Sequence, residues 1–154
     1  MSRYNNRSDN KNKSELKNVM NEVAELDRLK DLKPKKYADK DGYADKIGEL
    51  YSGKNPDLNT NQLRKFFGAI KKIQQKESWD EIEHDFYLLK PKFAVSVGRK
   101  VSGKPLMPKD FFDLMMVCME KVDVGNNEEK LENFNTLVDF FESIVAYHKF
   151  YEKK

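Results

Sequence analysis

Apolar residues recur at intervals of three or four along most of this chain, and no segment alternates apolar and polar residues over several positions. This spacing puts apolar side chains on one side of an α-helix, whereas a half-buried strand needs strict alternation. The 10 Phe and 7 Tyr among 154 residues supply the burial that one folded domain of ordinary size requires. The sequence therefore predicts an all-α fold, a single-domain bundle of five to six helices.

The amino-terminal third divides into a tail and two helices. Residues 1–13 are polar and rich in asparagine, which predicts a disordered tail ahead of a helical bundle domain over residues 14–154. Ser14 is a suitable N-cap for a first helix that runs to about Asp31. A short second helix is predicted over residues 42–51, because glycine and proline follow it closely.

The clearest helix start in the sequence is at Asn59. Gln62 follows three residues later and can complete a capping box, while Leu58 can pack on Leu63 as a hydrophobic staple. The helix is predicted to bury five residues, namely Leu63, Phe66, Phe67, Ile70 and Ile73. At 100° per residue Lys65, Lys72 and Lys76 point almost opposite that apolar side, and Arg64 and Lys71 lie on its flank, so the core orients a basic face outward.

Three further starts complete the bundle. A second capping box at residues 78–81 opens a helix that Pro91 is predicted to interrupt. Pro91 would then sit in the first turn of a new short helix that reaches about Lys100. Pro108 is predicted to start the next helix, and a third capping box at residues 126–129 opens the last and longest one.

Few residues in this chain can perform metal or nucleophilic chemistry. It has 1 cysteine, Cys118, and 2 histidines, His84 and His148, whereas a structural zinc site usually takes four such ligands. The longest apolar run covers only residues 114–119, and the amino terminus lacks the apolar core of a signal peptide. We therefore expect a cytoplasmic protein that is not an enzyme, has no cofactor or metal and does not enter a membrane.

Each of the three chemically versatile residues has a structural interpretation. His84 lies beside Asp85, a pair found in metal-dependent phosphohydrolases, but such a site needs further histidines from other helices. A solvated acidic helix face is the better account of this pair. His148 falls on the apolar side of the last helix and is predicted to be a satisfied core histidine, and Cys118 a small buried side chain.

Positive charge is concentrated in two windows. Residues 62–76 and residues 90–104 each contain five basic residues and no acidic one, although the net charge of the chain is only +3. Such segregation is typical of a surface that binds a polyanion. The alternative is that these are ordinary solvated helix faces of an adaptor that binds only proteins.

Three segments resemble the small helical subunit of type III-A CRISPR (Csm) effector complexes. Residues 58–67, LNTNQLRKFF, resemble that family's L-T-x-x-Q-L-R-K-F-Y segment, and residues 88–99 resemble its L-K-P-K-L-A-Y…G-R segment. Residues 140–150, FFESIVAYHKF, are similar to its carboxy-terminal F-x-E-A-I-V-A-Y-H-K helix. Phe67 and Val95 stand where the family often carries tyrosine. The three segments occur in the family's order and cover roughly residues 42–151.

The resemblance implies a subunit that stacks in several copies beside a filament of backbone subunits and flanks the guide RNA and its bound target RNA. It carries over five phosphate-facing candidates, namely Arg64, Lys65, Lys90, Lys92 and Arg99. Charge geometry alone adds four more, namely Lys71, Lys72, Lys76 and Lys100. The leading hypothesis is a non-catalytic RNA-binding subunit with sequence-independent backbone contacts. The alternatives are a helical protein–protein adaptor without RNA contact and a metal-dependent hydrolase at His84 and Asp85.

Overall fold

A computed structural model describes the backbone of residues 3–53 and 56–152. Within these residues there are seven α-helices: α1 Arg3–Ala24, α2 Pro34–Tyr37, α3 Tyr43–Leu50, α4 Thr60–Gln74, α5 Trp79–Gly98, α6 Lys109–Val122 and α7 Asn127–Glu152. A 3-10 turn covers Leu29–Asp31, and two strands, β1 Lys100–Val101 and β2 Lys104–Pro105, pair antiparallel. The all-α class is confirmed, but the helix count of five to six is wrong.

One helix that raises this count is the single turn α2. Pro34 at its first position fixes φ in the helical range and has no N–H to leave unpaired. Tyr37 at its end is buried, and its ring lies 5.6 Å from the ring of Phe140 in α7. An isolated helix this short is not stable in water, so α2 depends on tertiary packing such as this contact.

The first helix differs from its predicted bounds at both ends. It begins at Arg3, so Ser14 lies inside the helix and is not its N-cap. It ends at Ala24 instead of near Asp31, because the chain turns there and buries Leu29 against the rest of the protein. The Lys30 N–H then donates to Asn133 Oδ1 of α7 at 2.8 Å. The division into a disordered tail over residues 1–13 and a bundle over residues 14–154 stays a prediction.

The capping predictions agree with the structure in two places and in part at a third. Asn59 and Gln62 form a complete capping box at the start of α4, as the sequence predicted. The box at residues 126–129 is complete too, with the Glu129 N–H donating to Asn126 Oδ1 at 2.9 Å and the return bond at 3.3 Å. At the start of α5 only the Ser78 hydroxyl takes part, accepting from the Glu81 N–H at 3.4 Å.

The predicted interruption at Pro91 is wrong, because α5 continues through it from Trp79 to Gly98. A proline inside a helix removes the hydrogen bond to the carbonyl four residues earlier, here that of Tyr87. Both Pro91 and Tyr87 lie on the exposed side of α5, where water can satisfy that carbonyl. Leu89 and Phe93, on either side of the proline, are buried and hold both halves of the helix on the core.

Beyond α5 the chain forms a small hairpin before α6. Ser102 and Gly103 both have positive φ, 56° and 82°, which is the geometry of a type I′ turn. The Leu106 N–H donates to the Arg99 carbonyl at 2.9 Å and the Met107 N–H to the Ser96 carbonyl at 3.1 Å. These bonds attach the hairpin to the carboxy-terminal end of α5.

The long helix α7 lies at the centre of the bundle, and α3, α4 and α6 pack against it. Helix α3 approaches it closely, because a Cβ placed on Gly48 would lie 2.7 Å from the backbone nitrogen of His148 and 2.8 Å from Tyr147 Cβ. Phe141 of α7 contacts two other helices, with its ring 5.6 Å from that of Phe67 and 5.7 Å from that of Phe111. This packing fixes how α4 and its cations are presented.

Candidate nucleic-acid interface

Helix α4 lies antiparallel to α7, and three contacts define its orientation. At its amino terminus the Thr60 hydroxyl lies 3.4 Å from His148 Nδ1. Farther along, the Phe67 ring stacks on that of Phe141, so Phe67 is half-buried where the sequence predicted it to be buried. Near its carboxy terminus Gln74 Nε2 donates to Asn135 Oδ1 at 3.1 Å. One flank of α4 is therefore covered by α7.

The other flank of α4 is covered by α5, which runs antiparallel to it. The Phe66 ring meets the Phe93 ring edge to face at 5.8 Å, near the start of α4 and the end of α5. At the opposite end Lys76 Nζ lies 2.6 Å from Asp85 Oδ2. The acidic first half of α5 therefore folds back on α4, and the two basic windows of the sequence lie side by side.

Between these two flanks α4 exposes a stripe with three cations, Arg64, Lys65 and Lys72, which we call the outer face of α4. Residues three and four apart are neighbours on a helix surface, so Gly68 lies between them, and a Cβ added there would meet no atom within 4 Å. Within the described part of the chain these three side chains make no ion pair or hydrogen bond. The outer face is thus positively charged and open to solvent.

Lys92 extends this surface onto α5. It lies seven residues after Asp85, on the side of α5 that faces α4, and its charge helps to lower the pKa of the Asp85 carboxyl. The hydrogen bond from Lys76 is the largest cause of that lowered pKa. Lys76 is therefore engaged with a carboxylate, while Lys92 is exposed and makes no ion pair among the described residues.

Two other predicted cations lie at the edges of this surface. Lys71 is exposed three residues after Gly68, toward α7, and makes no ion pair among the described residues; burial and then Glu142 raise the pKa of the Asp139 carboxyl on α7, while the charge of Lys71 lowers it. Lys90 is half-buried on the side of α5 that faces α6, with its Nζ 5.7 Å from the centre of the Tyr87 ring. The Tyr87 hydroxyl in turn donates to Asp123 Oδ2 at 2.6 Å, which raises the pKa of Tyr87 to about 12.

The last two predicted cations, Arg99 and Lys100, are exposed where α5 ends and the hairpin begins. The structure therefore groups Arg64, Lys65, Lys72 and Lys92 on one surface, with Lys71 at its α7 edge, whereas Lys76 is paired with Asp85, Lys90 lies toward α6, and Arg99 and Lys100 lie at the end of α5. Sequence reasoning missed Gly68 as the gap within this surface. The available signal was a glycine in mid-helix between cations, a position that costs helix stability relative to alanine.

A second group of lysines escaped the sequence analysis but is balanced by acids. Lys35, Lys36, Lys40 and Lys46 line a cleft of about 250 Å³ beside α2 and α3, together with Glu22, Asp39 and Asp41. Glu22 accepts a hydrogen bond from the Tyr43 hydroxyl at 2.5 Å, so this cleft also joins α1 to α3. Its mixture of charges distinguishes it from the acid-free outer face of α4.

The histidines and the cysteine occupy the places that the sequence predicted. His148 is 1% exposed, and its Nε2 donates to the carbonyls of Tyr51 and Leu58, each at 2.8 Å. It is a satisfied core histidine that attaches the segment before α4 to α7. His84 is exposed on α5, and burial raises the pKa of the Cys118 thiol to about 12.

The described residues contain no cluster of three or more His, Cys, Asp or Glu side chains arranged to hold a metal ion. Among the same residues, no helix combines the length and the apolar character needed to span a bilayer.

Comparison with known proteins identifies the family. The family model described as Csm2 Type III-A matches residues 34–154, which extends the resemblance seen in three sequence segments to most of the chain. No curated protein and no solved structure matched the chain. Because this match covers most of the chain, the chain belongs to the Csm2 family, a small subunit of the type III-A CRISPR Csm complex.

Proposed function

We propose that this chain is the non-catalytic RNA-binding small subunit of its Csm complex, acting in the cytoplasm in antiviral defence. It flanks the guide RNA and the bound target RNA and contacts their phosphate backbones without reading sequence. It supports assembly of the filament through contacts with backbone subunits and with further copies of itself. The observation that carries the proposal is the outer face of α4, which presents Arg64, Lys65 and Lys72 without an acidic neighbour.

The chemistry of this face suits backbone contact. In guided complexes base pairing supplies sequence specificity, so a flanking subunit needs only charge and shape. Reading of single-stranded bases instead uses aromatic platforms, and the aromatic rings of α4, Phe66 and Phe67, are directed toward Phe93 and Phe141. Lysine and arginine side chains that track phosphates release counterions, and this release makes binding strongly dependent on salt.

The nine predicted residues are expected to contribute unequally. Arg64, Lys65, Lys72 and Lys92 are exposed and make no ion pair among the described residues, so they meet a phosphate without losing a partner. Lys76 would give up its 2.6 Å contact with Asp85. Lys71 is exposed at the α7 edge of this surface, where its charge acts on Asp139; Lys90 is half-buried toward α6, and Arg99 and Lys100 lie at the end of the bundle. We therefore assign the main RNA contact to the first four.

The experiment is a salt titration of single-stranded RNA binding by the double variant Arg64→Glu/Lys72→Glu. Each phosphate contact contributes about −0.7 to the slope of log K against log salt, so losing two should flatten the slope by about 1.4. Affinity should fall alike for unrelated RNA sequences. The matched control is Lys17→Glu/Lys35→Glu, which makes the same change of charge at two exposed lysines on α1 and α2.

The two competing functions give opposite results. If the chain is an RNA-binding subunit, the α4 variant binds RNA more weakly and with a flatter slope of log K against log salt, and the control variant keeps the original affinity and slope. The thermal stability of both variants stays near that of the unmodified protein. An adaptor without RNA contact shows equal and negligible RNA affinity in all three proteins. That result, or an equal loss in both double variants, would overturn the proposal.

A further inference from the structure

Gly68 lies between the cations of the outer face, in the middle of the helix α4 that covers Thr60–Gln74. Glycine in a helix interior makes the helix less stable than alanine does, because the glycine backbone loses more conformational freedom on folding. The chain therefore carries, at the centre of its cationic surface, a residue that weakens the helix beneath it. Such a glycine has either a packing reason or a reason that lies in a ligand.

Packing within the bundle gives no reason for this glycine. A Cβ added at Gly68 would meet no atom within 4 Å, and the backbone there is not in the left-handed conformation that favours glycine. Gly48 is the contrasting case, because a Cβ at Gly48 would lie 2.7 Å from the backbone nitrogen of His148. No described residue therefore requires position 68 to lack a side chain, and the free space is left to a ligand outside the chain.

Four cations surround the space above Gly68, which we call the Gly68 gap. Residues three and four positions apart are neighbours on a helix surface, and these positions around the glycine hold Arg64, Lys65, Lys71 and Lys72. All four side chains are exposed, and none makes an ion pair with another described residue. The pair before the glycine and the pair after it stand about 10 Å apart along α4, since a helix rises about 1.5 Å per residue.

A fifth cation lies beside the gap on α5. Helix α5 runs antiparallel to α4, and its Phe93 ring meets the Phe66 ring at 5.8 Å. Lys92, the neighbour of Phe93 in the sequence, therefore lies level with the middle of α4, where it is exposed and makes no ion pair among the described residues. An anion placed over Gly68 thus has positive charge on the α5 side as well as along α4.

We propose that Gly68 is the point at which the RNA backbone approaches α4 most closely. One phosphate group lies against the helix backbone in the Gly68 gap, and the surrounding lysine and arginine side chains donate hydrogen bonds to its oxygens. Helical side chains lean toward the amino terminus of their helix, so Lys71 and Lys72 extend over the gap toward the phosphate. The inference rests on the proposed function and adds to it a contact point and a role for an uncharged residue.

A phosphate group suits the Gly68 gap better than other ligand groups do. The N–H of a mid-helix residue is already bonded within the helix, so Gly68 supplies space and the cations supply the donors. A base would need an aromatic platform, and the rings of Phe66 and Phe67 face the core. A single carboxylate of a protein partner would leave most of the positive charge unneutralised, whereas an RNA strand brings several phosphates.

The test varies the size of residue 68 at constant charge. Alanine and leucine both favour a helix over glycine, so Gly68→Ala and Gly68→Leu should fold and melt no lower than the unmodified protein. Single-stranded RNA should nevertheless bind about threefold more weakly to the first variant and about tenfold more weakly to the second, the loss expected for one hydrogen bond between charged groups. For Gly68→Leu the slope of log K against log salt should flatten by about 0.7, the contribution of one phosphate contact.

The matched control is Gly98→Leu. Gly98 is exposed at the end of α5, and a Cβ added there also meets no atom within 4 Å. Its neighbours four and three positions earlier, Ala94 and Val95, carry no charge. The same change of side chain at this position should therefore leave the RNA affinity and the slope unchanged.

A double-mutant cycle shows whether Gly68 and Lys72 act on the same phosphate. Lys72→Gln removes one donor, and once Gly68→Leu has displaced the phosphate, little remains for Lys72 to contribute. The combined loss of affinity should therefore be smaller, by about threefold or more, than the product of the two single losses. Arg99→Gln, at the exposed end of α5, is the control, and its loss should multiply with that of Gly68→Leu.

A failure of this inference differs from a failure of the proposed function. If Gly68→Leu keeps the original affinity and slope while Arg64→Glu/Lys72→Glu loses both, the surface binds RNA without using the gap, and only this inference is overturned. Equal losses for Gly68→Leu and Gly98→Leu, or losses that multiply fully between Gly68→Leu and Lys72→Gln, overturn it as well. Negligible RNA binding by the unmodified protein overturns both proposals.

Discussion

The two sides of α4 differ in what they contact and therefore in what a substitution on each side should change. Its inner side is fixed by rings, with Phe66 against Phe93 and Phe67 against Phe141, and by the cap at Asn59. Its outer face meets no other part of the bundle, and even its glycine has open space around it. Substitutions on the inner side should therefore change stability, and substitutions on the outer face should change RNA affinity. The predictions below test this separation.

The largest effect should come from Phe66→Ala. Phe66 is buried between α4 and α5, and removing a buried phenyl ring typically costs about 3–5 kcal/mol of unfolding free energy. Its sequence neighbour Lys65 is exposed, so Lys65→Ala should change the unfolding free energy by less than about 0.5 kcal/mol. Urea denaturation of both variants checks this, and similar losses would mean that the two sides of α4 are not separate.

A glycine pair sharpens the comparison. Gly48→Ala forces a methyl group to within 2.7 Å of the α7 backbone, an overpacked contact that should cost about 1–3 kcal/mol. Gly68→Ala meets nothing on the outer face and replaces a mid-helix glycine, so it should stabilise the protein by about 1 kcal/mol. Opposite shifts in melting temperature are expected. A stabilising Gly48→Ala would contradict the close approach of α3 and α7.

The smallest effect should come from Asn59→Ala. This change removes the side-chain acceptor for the Gln62 N–H and should cost about 1 kcal/mol, less than Phe66→Ala because the rings still hold α4 in place. Asn61→Ala, two residues later and exposed, is the control and should be close to neutral. Thermal unfolding checks both. A loss at Asn59 as large as that at Phe66 would show that the cap, and not the packing, positions α4.

Local signals explain which parts of the fold could be predicted. The capping boxes at Asn59 and Asn126 depend on residues three apart, and both were found correctly. The end of α1 could not be predicted, because it is set by the burial of Leu29 and by the hydrogen bond from Lys30 to Asn133, more than 100 residues away. Helix α2 depends in the same way on a distant ring. Long-range contacts of this kind cannot be recognised from a local sequence pattern.

At Pro91 the local sequence signal was strong, but the helix break that it predicted is absent from α5. Proline disfavours a helix interior by about 3 kcal/mol, which justified the predicted break. That cost is offset by Leu89 and Phe93, whose burial on the core requires the helix to continue. A local rule with a known magnitude can thus be wrong when two flanking side chains are buried.

The candidate interface was also predictable only in part. Helical spacing placed Lys65, Lys72 and Lys76 almost opposite the apolar stripe, with Arg64 and Lys71 on its flank, since this depends only on the position of the stripe. The engagement of Lys76 was not predictable, because its partner Asp85 is brought near it by the packing of α5 on α4. A charge window in a sequence therefore overstates the number of cations available to a ligand.

The continuity of α5 through Pro91 has a consequence for motion. The last two turns of α5, which carry Lys92 and Val95 and lead into the hairpin, are joined to the rest of the helix with one backbone hydrogen bond fewer than usual. Their amide protons should exchange with solvent faster than those of the first half of α5, through an opening that leaves α4 and α7 folded. This end of the molecule can adjust to its neighbours without any loss of order in the core.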